Sequence, residues 1–429
     1  MLRKDFQAIL SRAPVLLDGA TGTYLQSHGM PKGVCPEQWA LDHRDVLFEM
    51  HRSYYLAGTD VAVTCTFGAN AEKLGHFGIG ADQVGAVNRD LARIAVEARD
   101  SVLSSMGPER PAPLVSGDLG PTGRFLVPAG DLGVEELVAM YRSQVRGLLD
   151  GGVDLFSIET MMDLGQTRAA LRAIRLECDL PVIATLTFDA AGKTLAGNGP
   201  LECAIALEAA GADAIGANCS TGPKDMGRVL AVLAGHTALP IVCKPNAGLP
   251  RIEEGQTVFD MGPDAFTADI LPFVQSGLCR LIGGCCGTTP VHIATLSRTV
   301  RTLDPVPPAS PQSPARAMIS SARRTVEAPR ADEVHFIPVT DPACMQDDVM
   351  DAMEEAGAVI GLDFLPAGNS PDISDYVEAL GWVQTVCTTP LVFRSHDAGL
   401  LQALVEVYPG RAGIVTGADG TFEGAARLG

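Results

Sequence analysis

The chain has 429 residues, of which 46% are hydrophobic and 19% charged, so it can build a large core and is not disordered in composition. Its 32 basic and 51 acidic residues give a net charge of −19, which opposes non-specific binding to nucleic acid or to anionic membranes. No apolar run approaches the ~20 residues that a membrane span needs, and the N-terminal residues predict a short helix and not a secretory signal. We therefore expect a cytoplasmic protein that binds neither nucleic acid nor a membrane.

Up to residue 303, short β-branched runs alternate with amphipathic segments. Continuous apolar runs bounded by turn residues are typical of strands buried on both faces of a parallel sheet. Eight such strands with helices between them predict a (β/α)8 TIM barrel over residues 1–303. An open doubly wound sheet is the alternative, but no Gly-x-Gly-x-x-Gly motif follows a strand. The predicted strands are residues 15–17, 61–64, 114–116, 155–158, 182–185, 214–217, 241–243 and 280–282.

The composition changes after the predicted barrel. Residues 304–333 are rich in proline, serine and alanine, which indicates a linker that is extended in its proline-rich part. Residues 334–429 then show a second, shorter alternation of strands and helices. Three or four βα units make only part of a barrel, so we expect a partial α/β module that needs an unusual closure, a partner or the surface of the first barrel.

Polar or glycine-rich segments follow seven of the eight predicted barrel strands. The carboxyl ends of parallel barrel strands meet at one face, where active sites assemble, so these segments are expected to lie together. They are residues 18–23, 64–68, 117–121, 159–160, 218–220, 245–248 and 283–290.

An adjacent pair of cysteines, Cys285 and Cys286, is the most specific feature of this face. Adjacent side chains of a regular strand point to opposite faces, but flanking glycines allow the backbone to turn both sulfurs to one side. Cys219, two strands away, would supply a third thiolate. Three thiolates favour zinc and leave its fourth position open, as in catalytic zinc sites. From the residues alone, a chance pair or a strained vicinal disulfide is the alternative.

The chemistry of such a site suits a thiol substrate better than activation of water, because three thiolates make the zinc electron-rich. Coordination lowers a thiol pKa from its usual value of ~8.5, so a sulfur nucleophile forms at neutral pH and can attack an activated methyl group. The carboxylates of Asp18 and Glu159 could hold an ammonium group, and backbone amides in residues 18–23 or 64–67 could hold a carboxylate. These features predict an amino-acid thiol as the methyl acceptor.

Five motifs together resemble the homocysteine S-methyltransferase family, which includes the N-terminal homocysteine-binding domain of cobalamin-dependent methionine synthase and betaine–homocysteine methyltransferase. The resemblance covers residues 1–300 and implies a zinc-dependent transferase of methionine biosynthesis on a (β/α)8 barrel. The motifs are Asp18-Gly-Ala-Thr-Gly-Thr23, Thr64-Cys-Thr-Phe-Gly-Ala-Asn70, Glu159-Thr-Met161, Gly216-Ala-Asn-Cys219 and Gly283-Gly-Cys-Cys-Gly-Thr-Thr-Pro290.

The same resemblance implies a role for individual residues. It implies that Cys219, Cys285 and Cys286 are the zinc ligands and carry the catalysis. It also implies that the amino group of homocysteine lies near Asp18 and Glu159. The resemblance further implies that the carboxylate of homocysteine lies near Gly19, Thr66 and Phe67. It implies that Asn218 contacts either the substrate or the residues that hold it.

The second module resembles part of the pterin-binding barrel that follows the homocysteine domain in cobalamin-dependent methionine synthase, but its opening strand and closing half are missing. We therefore expect no folate binding, and a methyl group delivered by a methylated corrinoid (methylcobalamin) on a partner protein or second subunit. Two alternatives stay open. The donor could be betaine or a methylsulfonium, or the chain could be a non-catalytic zinc-binding scaffold subunit.

Overall fold

In the computed structural model of the protein, the described residues are 1–106, 110–127, 129–253, 256–304, 306–307, 318–355, 357–365, 371–416, 422 and 424–428. Residues 308–317, the proline-rich part of the predicted linker, lie outside this set. Among the described residues, no helix is both long enough and apolar enough to cross a bilayer.

The strands are numbered in chain order. They are β1 (Val15–Leu16), β2 (Val61–Val63), β3 (Leu114–Leu119), β4 (Leu155–Met161), β5 (Val182–Leu186), β6 (Ala214–Asn218), β7 (Ile241–Lys244), β8 (Arg251–Glu253), β9 (Gln256–Val258), β10 (Leu281–Ile282), β11 (Met318–Ser320), β12 (Thr325–Glu327), β13 (Phe336–Val339), β14 (Ile360–Phe364), β15 (Leu391–Arg394), β16 (Ala412–Val415) and β17 (Ala425–Arg427).

The α-helices are numbered in the same way. They are α1 (Arg3–Arg12), α2 (Gly22–Ser27), α3 (Pro36–Asp42), α4 (Arg44–Ala57), α5 (Ala71–Gly75), α6 (Val84–Leu103), α7 (Val134–Gly151), α8 (Leu164–Glu177), α9 (Pro200–Ala209), α10 (Pro223–Gly235), α11 (Pro263–Gln275), α12 (Pro290–Val300), α13 (Met345–Glu355), α14 (Ile373–Val386) and α15 (Ala398–Val407).

Eight parallel strands form the first sheet in the order β1, β10, β7, β6, β5, β4, β3, β2. A parallel bridge between Leu17 and Val61 joins the two ends of this order, and the Asp60 N–H donates to the Leu16 oxygen at 2.7 Å. The sheet thus closes on itself, with helices around it, and the predicted (β/α)8 barrel is confirmed. Its strands are mostly apolar because both of their faces are buried, as at Val115 and Phe156.

Helix α8 shows how local sequence builds the outer ring. The Asp163 carboxylate caps its first turn by accepting from the N–H groups of Gly165 at 2.6 Å and Gln166 at 3.2 Å. Apolar residues at helical spacing, including Leu171 and Ile174, are buried against the barrel. The capped helix therefore has a fixed start and a fixed buried face.

The second sheet contains five parallel strands in the order β13, β14, β15, β16, β17, and helices α13, α14 and α15 pack on it. A hairpin of β11 and β12 follows the undescribed linker segment, and Ser320 bridges to Arg411 beside β16. The sequence predicted three or four βα units in this region, whereas the sheet has five strands. It predicted neither a fifth strand nor the hairpin, which occupies part of the expected linker.

Helix α8 of the barrel contacts the second sheet and its helices, which together form the second unit of the chain. The Arg168 guanidinium donates to the backbone oxygens of Gly410 at 2.8 Å and Val405 at 3.1 Å, and Arg172 pairs with Glu406 at 2.5 Å. A cavity of about 810 Å³ lies beside this contact, lined by residues of both units that include Arg168. The second unit therefore rests on the side of the barrel.

Candidate metal and substrate site

Three cysteine thiols come together at the carboxyl ends of the barrel strands. The sulfur atoms of Cys219, Cys285 and Cys286 all lie within 4.8 Å of one another, and the three side chains are half-buried. Cys219 directly follows β6, whereas Cys285 and Cys286 follow β10. The structure therefore brings the three predicted metal ligands into one cluster.

The segment after β7 holds the two cysteine loops at this spacing. The Cys219 N–H donates to the Lys244 oxygen at 3.1 Å, and the Cys285 N–H donates to the Pro245 oxygen at 2.8 Å. On the other side, the Cys286 oxygen accepts from the Ala247 N–H at 2.9 Å. The segment 244–247 thus forms backbone hydrogen bonds with the Cys219 loop and with the Cys285–Cys286 loop. These hydrogen bonds, and not the thiols alone, set the distance between the thiols.

Unusual backbone conformations direct the sulfurs inward. Cys219 and Ser220 have φ angles of 62° and 65°, in a left-handed region that costs energy for residues with a Cβ. Gly287, next to the cysteine pair, has φ 79°, and a Cβ at this position would lie 2.3 Å from the Phe259 ring. The turn after β10 therefore requires glycine at position 287.

Hydrogen bonds among the thiols separate their pKa values. Cys285 and Cys286 hydrogen-bond to Cys219 and lower the pKa of its thiol to about 3. The same bond to Cys219 raises the pKa of Cys286 to about 11. One sulfur of the cluster is therefore a thiolate that the other two thiols stabilise, and the cluster attracts a cation.

The cluster fits a zinc ion. Tetrahedral zinc with Zn–S bonds of ~2.3 Å needs sulfur atoms roughly 3.8 Å apart, which three thiols within 4.8 Å of one another can meet by small side-chain rotations. The donor set of three soft sulfurs suits zinc better than magnesium or calcium. Three protein ligands leave the fourth tetrahedral position for a substrate atom.

A buried charged cluster lies inside the same end of the barrel. The Lys244 Nζ donates to Glu159 Oε1 at 2.6 Å and lies 3.3 Å from Asp18 Oδ1. Asp118 is buried close to this group, and its Oδ1 has no hydrogen-bond partner among the described residues. The predicted substrate residues Asp18 and Glu159 therefore come together, but around a lysine.

Burial and mutual charge perturb the pKa values of this cluster. Burial raises the pKa of Asp18 to about 6, although the Lys244 charge acts in the opposite direction. Burial, and then the Glu159 charge, raise the pKa of Asp118 well above its usual range. Burial lowers the pKa of Lys244, but the charges of Glu159 and Asp18 outweigh burial and keep the lysine protonated.

Hydrogen bonds hold Asn218 between β4, β5 and the cysteine cluster. Its Oδ1 accepts from the Thr160 N–H at 2.7 Å and the Thr185 hydroxyl at 2.8 Å, which fixes the orientation of the amide. Its Nδ2 donates to the Thr160 hydroxyl at 2.7 Å and lies 3.9 Å from the Cys285 sulfur. Asn218 therefore borders the cysteine cluster, beside the position at which substrate was expected.

The remaining predicted substrate residues differ in what they can offer. The backbone N–H groups of Gly19 and Phe67 donate to no acceptor in the described part of the chain, so they are available to an anionic group. Thr66 is fully buried, and its hydroxyl donates to the Asp118 oxygen at 2.8 Å. The hydroxyl of Thr66 therefore supports the loop.

Lys244 is the site residue that the sequence analysis missed. Strand seven was expected to end at Cys243, whereas β7 continues to Lys244, whose side chain is 3% exposed. A charged residue at the end of the apolar run Ile-Val-Cys was the available signal. The search for polar residues at the strand ends identifies Lys244 when it is extended by one residue.

Comparisons with known proteins agree with this arrangement. A family model described as homocysteine S-methyltransferase matches residues 15–300. The crystal structure of the homocysteine methyltransferase MmuM from Escherichia coli, in its metallated form, superposes with a TM-score of 0.59 at 27% identity. It covers 68% of this chain and 98% of the MmuM chain.

Two curated relatives are methionine synthases from mycobacteria. That of Mycobacterium tuberculosis is 30% identical over 437 residues, covering 96% of this chain and 36% of the relative. That of Mycobacterium leprae is 33% identical over 307 residues, covering 69% of this chain and 25% of the relative. The chain thus spans about a quarter to a third of the length of these relatives.

Proposed function

Because the chain belongs to the homocysteine S-methyltransferase family, we propose that it transfers a methyl group to the thiol of homocysteine and so forms methionine. The observation that carries the proposal is the cluster of three thiols within 4.8 Å at the carboxyl face of the barrel. A scaffold subunit would need neither an open metal position nor a buried carboxylate pair beside it. An enzyme is therefore favoured over a non-catalytic scaffold subunit.

The cysteine residues would hold zinc in this reaction. When bound there, zinc would supply an open coordination position and the positive charge that lowers the pKa of the substrate thiol. The orientation of Asn218 keeps its amide beside the Cys285 sulfur, where it can donate to a neighbouring anionic sulfur. The chain itself therefore orients the sulfur nucleophile.

The rest of the pocket would position homocysteine. The free N–H groups of Gly19 and Phe67 suit its carboxylate, and its amino group was expected near Asp18 and Glu159, where Lys244 already lies between the two carboxylates. In the transfer, the thiol proton goes to solvent, a sulfur–carbon bond forms, and the electron pair of the broken donor–methyl bond stays with the donor.

We propose a methylated corrinoid on a partner protein as the donor. Support comes from the second sheet: the alignment with the methionine synthase of M. tuberculosis covers 96% of this chain and therefore continues past the barrel. The match to MmuM covers 68% of the chain, about the length of the barrel alone. Betaine and a methylsulfonium are the alternative donors.

Zinc-edge X-ray absorption on the full chain tests the metal and the acceptor. We expect three sulfur ligands without homocysteine and four with it. Absence of zinc from protein prepared under reducing, zinc-replete conditions would contradict the proposal. Methyl transfer measured with each donor separately then tests the donor, and activity with free betaine alone would contradict the corrinoid.

A further inference from the structure

A lysine side chain occupies the space between the two carboxylates that were expected to bind a substrate ammonium. The Lys244 Nζ lies 2.6 Å from Glu159 Oε1 and 3.3 Å from Asp18 Oδ1, and its side chain is 3% exposed. A lysine ammonium has the same charge and the same three donors as a primary amine of a substrate. The ammonium group of Lys244 is therefore the cation that pairs with the carboxylates of Asp18 and Glu159.

The hydrogen bonds of Asp18 leave little room for a second cation. Its Oδ2 accepts from the Val63 N–H at 2.8 Å, and its Oδ1 faces Lys244. Glu159 is the more accessible carboxylate, with 7% of its surface exposed, but its Oε1 already accepts from Lys244. A substrate ammonium would have to displace Lys244 or lie beside it, and like charges in a buried site repel strongly.

We propose that Lys244 takes the place of the substrate ammonium and is a specificity-determining residue of this site. The site then recognises a thiol and a carboxylate, and the α-amino group contributes little to binding. The substrate class is the short ω-sulfanyl carboxylates, and homocysteine is a member of this class that also carries an amino group. This inference rests on the proposed function, because it assumes that a thiol binds at the three cysteines.

The test compares homocysteine with 4-sulfanylbutanoate, which is the same molecule without the amino group. Calorimetric titration of the zinc-loaded full chain measures the Kd of each thiol directly, without a methyl donor. We expect the wild-type chain to bind the two thiols within about threefold of each other. An ammonium paired with buried carboxylates would instead favour homocysteine by about tenfold or more.

The substitution K244M removes the internal cation and keeps an unbranched side chain of similar length. We expect it to shift the ratio of the two Kd values toward homocysteine by about tenfold, since the carboxylates can then pair with the substrate. K224M removes an exposed lysine on α10, whose side chain is 80% exposed, and should leave the ratio unchanged. Zinc content and circular dichroism show whether K244M is folded.

The wild-type comparison keeps the inference testable even where K244M does not fold. A wild-type preference for homocysteine of about tenfold or more would overturn this inference and leave the proposed function intact. An unchanged ratio in folded K244M would overturn it as well. Binding of neither thiol by the zinc-loaded chain would overturn the inference and the proposed function together.

Discussion

Arg168 on the barrel helix α8 donates a hydrogen bond of 2.8 Å to the backbone oxygen of Gly410, next to strand β16 of the second sheet. A second bond of 3.1 Å reaches the Val405 oxygen at the end of α15. Burial lowers the pKa of Arg168 to about 10, so the guanidinium is still charged at neutral pH. A buried cation thus joins the two units through neutral carbonyl groups.

The substitution R168M is expected to weaken the attachment of the second sheet. It removes both hydrogen bonds from a charged donor, and we expect the second unit to lose about 2 kcal/mol of its free energy of unfolding. Differential scanning calorimetry should then resolve an earlier transition for this unit. R146M, at an arginine whose side chain is 59% exposed, is the control. Equal thermograms for R168M and wild type would contradict the role of Arg168.

Replacement of a cluster cysteine is expected to remove the metal but not the fold. In C286S a hydroxyl replaces a thiolate, and zinc binds the neutral oxygen far more weakly. The zinc retained after dialysis should fall from about one per chain to a small fraction of that, while far-ultraviolet circular dichroism is unchanged. C344S, which alters an exposed cysteine, should keep its zinc. Full retention of zinc by C286S would exclude Cys286 as a ligand.

The ion pair of Lys244 and Glu159 is expected to be important for stability. E159Q leaves the buried lysine charge without its 2.6 Å partner, so we expect the free energy of unfolding to fall by about 3 kcal/mol. E253Q is the matched control, because Glu253 pairs with Arg251 at the surface, where an ion pair contributes less than about 1 kcal/mol. Urea unfolding measures both, and equal losses in the two variants would contradict the buried-pair argument.

His51 on α4 is expected to make stability depend on pH. It is fully buried, both ring nitrogens lack a partner among the described residues, and burial lowers its pKa from 6.5 to about 4. Between these values the unfolded state binds the extra proton, so stability falls as the pH decreases. From pH 7 to pH 5 the wild type should lose about 2 kcal/mol more than H51L.

Urea unfolding at the two pH values measures this difference. H396L, which alters an exposed histidine after β15, should behave as the wild type does. Because the folded pKa is depressed, the loss must occur on the acidic side. An H51L chain that loses as much stability as the wild type between pH 7 and pH 5 would contradict the assignment.

The barrel could be predicted from sequence because most residues of its strands are apolar and buried on both faces, as Phe156 and Ile215 illustrate. The hairpins could not. In β8, Arg251, Ile252 and Glu253 are all exposed, so three residues carry no alternation of buried and exposed side chains. Such short strands form because another segment of the same chain lies alongside them. A local sequence pattern does not encode this pairing.

The candidate site could be predicted as a set of strand-end residues but not as a network. Because Cys219 and the cysteine pair follow barrel strands, the sequence predicted that they lie on one face. It did not indicate that Asp18 and Glu159 share a lysine, because the partners of a buried charge depend on distances between three strands. Nor did it indicate that the Thr66 hydroxyl bonds to the backbone oxygen of Asp118.

The order of the cysteines along the chain has a consequence for biosynthesis. Cys285 and Cys286 follow β10, the strand that pairs with both β1 and β7 and completes the barrel. The three thiols therefore cannot meet during synthesis until residue 286 has emerged and β10 has paired with β7. A metal ion that binds all three thiols requires β10 in place, and once bound it opposes separation of this strand from the sheet.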